Sequence, residues 1–294
     1  MTSKPSTHTV FVYGTLLKDE YNHNHYLHDD CYIGKATISG YDMYNIGAFP
    51  GIVPGEGIIP GELYEADDDT MERLDYLERE GSLYIRESAQ VTMSTGEKTF
   101  ASIYVYNQSV EGLEKIPAWK QEDYVWYVSY GSNMLRKRFM HYIKGGSYEG
   151  GGAYHDPCED TTQPLAVRTY DIPYDMYFGE SAPRWGDKGV SFLDITNPGY
   201  AKGVAYLITQ QQFDHVSLLE NGGLEPGHGV GWYHKIVELE TLDGIRTVTF
   251  TDDTLRPYND PAECYLNTLR RGLRENYPDM TKEDIDQYLD ECRR

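Results

Sequence analysis

Two runs of β-branched and aromatic residues, at residues 10–13 and 127–130, each stop at a glycine that is followed by a hydroxyl residue. Runs of this kind favour a buried β-strand. A glycine directly after a strand lets backbone N–H groups approach a ligand, because no side chain intervenes. The two copies of this strand-glycine pattern predict two similar structural units.

The first half of the chain alternates predicted strands with one amphipathic helix. Strands are indicated at 36–46 and 61–64, a hairpin at 86–94 and 98–106, and a turn-rich pocket lip at 48–55. The helix opens at the acidic residues 67–69 and presents Met71, Leu74 and Leu77 on one face. Glu78 lies at the edge of that face, where a carboxyl can acquire a raised pKa and act as a general acid or base. An ordinary surface glutamate is the alternative.

The second half repeats the first. The tetrapeptide at 41–44 recurs identically at 174–177. Glu78 follows Tyr64 by 14 residues, and Glu220 follows Tyr206 by the same interval. A predicted helix over 210–219 precedes Glu220, so each half predicts a strand, a helix and a terminal glutamate. A repeat can preserve fold alone, but packing does not require a glutamate at a helix end, and both glutamates are therefore candidate functional residues.

The predicted domains are 9–106 and 125–294, joined by a linker at 107–124 that lacks a hydrophobic period. Capping patterns at 260–263 and 281–284 predict two C-terminal helices packed on the second domain. The glycine-rich residues 145–152 lack the Gly-Lys-Ser/Thr ending of a phosphate loop and are interpreted as a mobile surface loop or lid.

Composition narrows the possible partners and location of the chain. A net charge of -21 over 294 residues argues against nucleic acid and anionic membranes as partners. No stretch approaches the roughly 20 apolar residues of a membrane span, and residues 1–5 lack the apolar core of a signal peptide. The four scattered cysteines suit reduced thiols. We therefore expect a soluble, cytoplasmic protein.

The polar segment 18–31 contains metal-ligand residue types. It includes three histidines, two adjacent aspartates and Cys31. Their spacing matches no recognised zinc site, so we interpret the segment as a solvated loop and predict no metal.

At this point two motifs carry a resemblance to a known family. Tyr13-Gly14-Thr15-Leu16, together with the later Leu-Asp-x-x-Glu at 74–78, resembles the γ-glutamylcyclotransferase superfamily in its AIG2-like, γ-glutamylamine cyclotransferase branch. Residues 130–134 resemble the Tyr-Gly-Ser-Asn loop of the γ-glutamylcyclotransferase branch. The resemblance implies an α+β fold with two small β-barrels, flanking helices and C-terminal helices on the second barrel.

The implied reaction converts a γ-glutamyl amino acid or γ-glutamylamine into 5-oxoproline and a free amine, without a cofactor. A glutamate of raised pKa suits this chemistry, because it can take a proton from the attacking α-amine and return it to the leaving amine. The resemblance assigns Glu78 and Glu220 the catalytic role. It assigns substrate binding to Tyr13, Gly14, Thr15, Leu16, Tyr104, Tyr130, Gly131, Ser132, Asn133 and Met134.

Alternatives stay open at this stage. Glu80 could replace Glu78 as the catalytic carboxylate. The second half departs from the family pattern at Ser217 and Asn221, and Tyr104 has no clear counterpart near residues 248–250. A non-catalytic module that binds a small carboxylate or amine metabolite, or a protein partner, is the rival function; an interaction protein with an acidic surface is supported by composition alone.

Overall fold

The computed structural model describes residues 7–147 and 154–293, and it has a mixed α+β fold. The chain forms two compact units. The first comprises the described residues up to Gln121 together with Asp160–Ala166, and the second comprises the described residues of 122–159 and 167–293. No helix in the described ranges is long and apolar enough to cross a membrane.

The first unit is built on a six-stranded sheet. Its strands and helices are β1 (Thr7–Val12), α1 (His23–Tyr26), β2 (Tyr32–Asn45), β3 (Pro50–Asp67), α2 (Asp68–Glu78), β4 (Tyr84–Met93), β5 (Lys98–Tyr106) and β6 (Lys115–Ile116). The strand order is β3-β1-β5-β4-β2-β6, and β2 also pairs with β3. The pairings of β1, β3, β2, β4 and β5 therefore form a closed circuit.

Strand β1 is apolar throughout its second half because both of its faces are buried. Phe11 belongs to one core cluster, with Ile38 and Leu63, while Val10 and Val12 belong to another that includes Leu74 of α2. A strand covered on both faces reads as a continuous apolar run rather than an alternating one. This explains why the opening pattern of the sequence is uninterrupted.

The second unit contains a five-stranded and a two-stranded sheet. Its elements are β7 (Tyr124–Ser129), α3 (Arg136–Lys144), β8 (Ala166–Ile172), β9 (Asp175–Ala182), β10 (Lys188–Asp194), β11 (Ala201–Thr209), α4 (Gln210–Glu220), β12 (Lys235–Leu242), β13 (Ile245–Thr251), α5 (Glu263–Asn276) and α6 (Lys282–Glu291). The larger sheet has the order β12-β13-β7-β11-β8. The order β3-β1-β5-β4 of the first unit thus recurs as β11-β7-β13-β12.

The register of the central strands matches as well. Val10 pairs with Tyr64 in an antiparallel ladder and with Ser102 in a parallel one. Tyr127 pairs with Tyr206 and with Val248 in the same two ways. The 14-residue interval seen in the sequence therefore starts from equivalent positions of the two sheets.

Helices α2 and α4 each have 11 residues and each end at a glutamate. The Asp67 side chain caps α2 by accepting a hydrogen bond from Thr70 N at 2.8 Å, and Thr209 and Gln212 form a capping box at the start of α4. Helix α2 stops because Arg79 adopts a left-handed conformation, with φ 51°. Fixed starts and stops place Glu78 and Glu220 on the last helical position.

Several expectations are confirmed and others need correction. The β4–β5 hairpin and the start of α6 after Thr281 are confirmed. Helix α5 begins at Glu263 with Ala262 as its N-cap, so the start predicted at residue 260 was too early. The predicted mobile loop at 145–152 lies mostly outside the described residues. The two-barrel arrangement stays a prediction.

The predicted linker and the predicted solvated loop also differ from the structure. Strand β6 pairs with β2, and residues 107–121 belong to the first unit. The segment 18–31 contains α1, and His23 is buried with its Nδ1 3.0 Å from the Leu16 carbonyl oxygen. Strand β6 has two residues and helix α1 has four, too few to show a hydrophobic period, so only the tertiary structure defines them.

Replacing Asp67 by Ala is expected to destabilise the first unit by about 1 kcal/mol, because the Thr70 N–H loses its cap. Urea unfolding followed by NMR signals of β1 amides measures the change in that unit. Asp69→Ala, an exposed first-turn aspartate, is the matched control and should have a smaller effect. Equal effects of the two variants would contradict the capping role.

Candidate active site

The first unit has a cavity of about 30 Å³ at the end of β1. All six residues predicted for this unit line it, namely Tyr13, Gly14, Thr15, Leu16, Glu78 and Tyr104. The lining also contains Phe49 and Pro50 from the predicted pocket lip at 48–55, and three residues that sequence analysis did not assign, Phe11, Val12 and Tyr84. The fold therefore brings the strand-glycine loop and the helix-terminal glutamate to one cavity.

Two buried tyrosines frame this cavity by donating to main-chain carbonyl groups. The Tyr13 hydroxyl donates to the Tyr104 carbonyl oxygen at 2.5 Å, and the Tyr84 hydroxyl donates to that of Pro50 at 2.6 Å. Burial is the main cause that raises the pKa of both phenols, so they remain neutral donors. The Tyr104 hydroxyl donates to Asp75 at 2.8 Å, and Asp75 pairs with Arg86 at 3.1 Å.

Glycine is required at position 14 by close packing. A Cβ atom there would lie 2.7 Å from Cγ of Pro50, which is shorter than any normal contact. Position 131 of the second unit is less tight, since a Cβ would lie 3.3 Å from the Tyr265 hydroxyl oxygen and 3.6 Å from Ser191 Cβ. In both units the loop backbone runs against the facing wall of its cavity.

Among the residues that the structure describes, Glu78 is the one acidic residue that lines the first cavity. Its side chain is half-buried, and burial raises its pKa from 4.5 to about 7. A carboxyl with this pKa is available in both protonation states near neutral pH. Glu80, the alternative carboxylate, is exposed and lies outside this cavity, so the geometry favours Glu78.

The second unit has a cavity of about 70 Å³ at the end of β7. Tyr130, Gly131, Ser132, Asn133 and Glu220 line it, as predicted. Met134 does not: its side chain is fully buried, and its Cβ faces Gly272 of α5. The assignment of Met134 to substrate binding is corrected, because the 3₁₀ turn Ser132–Met134 directs that side chain into the core.

The second cavity repeats the hydrogen-bonded frame of the first. The Tyr130 hydroxyl donates to the Phe250 carbonyl oxygen at 2.8 Å, and the Tyr233 hydroxyl donates to that of Ser191 at 2.9 Å. Phe250 therefore occupies the position of Tyr104 in the other unit. The expectation that Tyr104 has no counterpart is corrected in part. Phe250 is the counterpart of Tyr104 in the strand, but it has no hydroxyl group.

Side chains that face the two cavities differ. Asn133 Nδ2 donates to Glu220 Oε1 at 2.8 Å, whereas the equivalent position in the first unit is the apolar Leu16. Arg138 Nε donates to the Ser132 hydroxyl oxygen at 2.7 Å, so a buried arginine supports the second loop. Arg184 lines the second cavity as well.

Sequence reasoning missed Tyr84, Tyr233 and both arginines. The two tyrosines had a usable signal, since each lies in an aromatic and basic run that follows the terminal glutamate of its half, at 83–86 and 232–235. The arginines had none. Arg138 comes from α3 and Arg184 from a 3₁₀ turn after β9, and only the tertiary fold brings them to the cavity.

A strand-glycine loop facing a helix-terminal glutamate defines a candidate acid/base site, and comparison with known proteins identifies its family. The family model described as "Gamma-glutamyl cyclotransferase, AIG2-like" matches residues 10–125. The chain is 35% identical over 116 residues to the gamma-glutamylcyclotransferase family protein ytfP of Citrobacter rodentium, a match that spans 39% of this chain and 96% of that protein. The chain belongs to the gamma-glutamylcyclotransferase family.

A further relative and two solved structures match different shares of the chain. A putative gamma-glutamylcyclotransferase of Vibrio cholerae is 36% identical over 102 residues, covering 35% of this chain and 84% of the relative. Among solved structures, YkqA from Bacillus subtilis is 22% identical with a TM-score of 0.37, covering 98% of each chain. An AIG2-like protein from Mus musculus is 25% identical with a TM-score of 0.36, covering 40% of this chain and 90% of that one.

Replacing Glu78 by Gln is expected to raise the free energy of unfolding of the first unit at pH 8, relative to the parent protein, and to raise it much less at pH 5. The native carboxyl holds its proton up to about pH 7, whereas the unfolded one releases it near 4.5. The native state therefore loses stability as pH rises between these values, and Gln removes a penalty of up to about 3 kcal/mol. Urea unfolding of β1 amides at both pH values measures it. Glu80→Gln is the control, and a pH-independent difference for Glu78→Gln would contradict the raised pKa.

Proposed function

We propose that this protein is a γ-glutamylcyclotransferase-type enzyme that converts a γ-glutamyl amino acid or γ-glutamylamine into 5-oxoproline and a free amine. The observation that carries the proposal is the recurrence of one arrangement: a helix-terminal glutamate shares a cavity with a strand-glycine loop, inside a frame of two tyrosine-to-carbonyl hydrogen bonds. Family membership of the first unit supports the same reaction class.

In the proposed mechanism Glu78 moves one proton twice. Its carboxylate takes a proton from the α-ammonium group of the substrate, and the freed amine attacks the γ-carbonyl carbon. The ring nitrogen of the tetrahedral intermediate loses its second proton to solvent. The intermediate then expels the leaving amine, which takes the first proton back from Glu78 as the amide C–N bond breaks and gains its last proton from solvent. A pKa of about 7 suits both steps, because neither protonation state is strongly disfavoured.

The loops are proposed to hold the substrate and the developing oxyanion through backbone N–H groups at 14–16 and 131–133. Close packing at Gly14 keeps this backbone at the cavity wall. Ring closure is intramolecular, so holding the substrate folded can supply much of the rate, with effective molarities of roughly 10⁵ M or more. The proton transfers require no cofactor.

We infer that the second unit is a second domain of the same fold with Glu220 as its acid/base. The shared strand order and register support this inference. Its departures from the family pattern have structural accounts. Asn221 accepts a hydrogen bond from Tyr233 N at 3.0 Å and donates to the carbonyl groups of Leu224 and Val230, so it fixes the loop before Tyr233.

The other departure concerns Ser217. It stands three residues before Glu220, as Asp75 stands before Glu78. Asp75 accepts a hydrogen bond from the Tyr104 hydroxyl group, whereas Phe250 has no hydroxyl group to donate at the equivalent position. Tyr104 and Asp75 of the first unit are thus replaced together, by Phe250 and Ser217, and neither replacement changes Glu220 or its loop.

Turnover tests the proposal directly. We expect 5-oxoproline release from a panel of γ-glutamyl amino acids and amines, with a loss of about 10²-fold or more in the Glu78→Gln/Glu220→Gln double variant. Each single variant isolates one site, and Glu80→Gln is the control that keeps both glutamates. Full activity of the double variant would contradict the assignment, and absence of product from every panel member would favour a binding module.

The pH profile of the first site should follow Glu78. In the Glu220→Gln variant, kcat/KM is expected to fall about tenfold per pH unit below a midpoint near 7, because the attacking step needs the carboxylate form. Initial rates between pH 5 and 9 measure this. A midpoint near 4.5 would show that a solvated carboxylate, rather than the buried Glu78, controls the rate.

A further inference from the structure

We propose that Arg184 makes the second cavity selective for a ligand whose leaving group carries a carboxylate, while the first cavity selects against that charge. This inference rests on the proposed function for the identity of the leaving group. It adds a specificity-determining residue and a division of substrates between the two cavities of one chain.

The charges that line the two cavities are different. Arg138, Arg184 and Glu220 are the charged lining residues of the second cavity, whereas Glu78 is the charged lining residue of the first. The second cavity is thus locally positive within a chain of net charge -21. A further carboxylate is costly to desolvate unless a cation or hydrogen-bond donors receive it, and the described wall of the first cavity offers no cation.

The two arginines have different roles. Arg138 is buried, donates to the Ser132 hydroxyl oxygen, and has its guanidinium carbon 5.3 Å from the centre of the Trp185 ring. These contacts hold Arg138 in place and couple it to the loop. It acts as a positioning residue for the Ser132 loop.

Arg184 is available to a ligand. Within the described ranges it forms one long hydrogen bond, 3.5 Å from Nη1 to the Tyr142 hydroxyl oxygen, and no ion pair. Burial alone would lower its pKa, but the nearby Glu220 and Tyr142 raise it, so the group stays charged. A guanidinium fork can accept a carboxylate through two parallel hydrogen bonds.

We assign the leaving-group side of the second cavity to Arg184 from its place in the fold. Asn133 holds Glu220 beside the loop, which defines the reacting end of the cavity. Arg184 comes from a separate element, the 3₁₀ turn Pro183–Trp185. In a γ-glutamyl amino acid the leaving group carries its carboxylate two bonds from the departing nitrogen, whereas a simple γ-glutamylamine has hydrogen there. Arg184 therefore distinguishes the two classes.

Binding measurements test selectivity without turnover. The probes are γ-glutamylalanine and γ-glutamylethylamine, which differ only in that carboxylate, titrated by calorimetry into the Glu78→Gln/Glu220→Gln chain. Adding Arg184→Gln should raise the dissociation constant of one site for γ-glutamylalanine about tenfold or more, and should change the dissociation constant for γ-glutamylethylamine less than twofold. Arg184→Lys should keep part of the preference, and Arg246→Gln, at an exposed arginine paired with Glu238, is the control.

Turnover provides an independent readout. In the Glu78→Gln background, Arg184→Gln should raise KM for γ-glutamylalanine with a smaller change in kcat, and leave γ-glutamylethylamine unaffected. Equal weakening of both probes, or of neither, would overturn the proposal even in an active enzyme. If the parent chain releases no 5-oxoproline, the proposed function fails, but the calorimetric comparison still decides whether Arg184 recognises the carboxylate.

Discussion

The contact between Gly14 and Pro50 is the constraint on which the first site depends. No side chain fits between the loop and the Pro50 ring, so the loop backbone itself forms the cavity wall. The same proline presents its carbonyl oxygen to Tyr84, and Tyr13 at the loop start donates to Tyr104. Loop, facing strand and both tyrosines are therefore fixed by one close approach, and Glu78 is enclosed as a consequence.

The two units share a main-chain frame and differ in polarity inside it. Both frames use tyrosine hydroxyls as donors and backbone carbonyls as acceptors, so the residue supplying the carbonyl can change without loss of the bond. The carbonyl oxygens belong to Tyr104 and Pro50 in the first unit and to Phe250 and Ser191 in the second. The side chains that face the two cavities differ. The Leu16 side chain offers Glu78 no hydrogen-bond donor, whereas that of Asn133 donates a hydrogen bond to Glu220.

Sequence analysis could locate the glutamates because strand and helix lengths are local properties. The interval from Tyr64 to Glu78 is the rest of β3 plus α2, and the capping residue Asp67 is readable from the sequence. The tyrosine frame was not predictable, because a carbonyl acceptor has no residue-type signature. Arg184 was not predictable either, since its relation to Glu220 depends on how β9 and its turn fold back. The linker was wrong because the two residues of β6 are too few to form a pattern.

The short segment Asp160–Ala166 has a consequence for how the chain must acquire its structure. It belongs to the first unit although it lies between two stretches of the second. Asp160 is buried and closes a local turn by accepting hydrogen bonds from the Thr162 main-chain N–H and hydroxyl. During synthesis this segment leaves the ribosome only after residues 122–159 of the second unit, so its contacts with the first unit are the last of that unit to form.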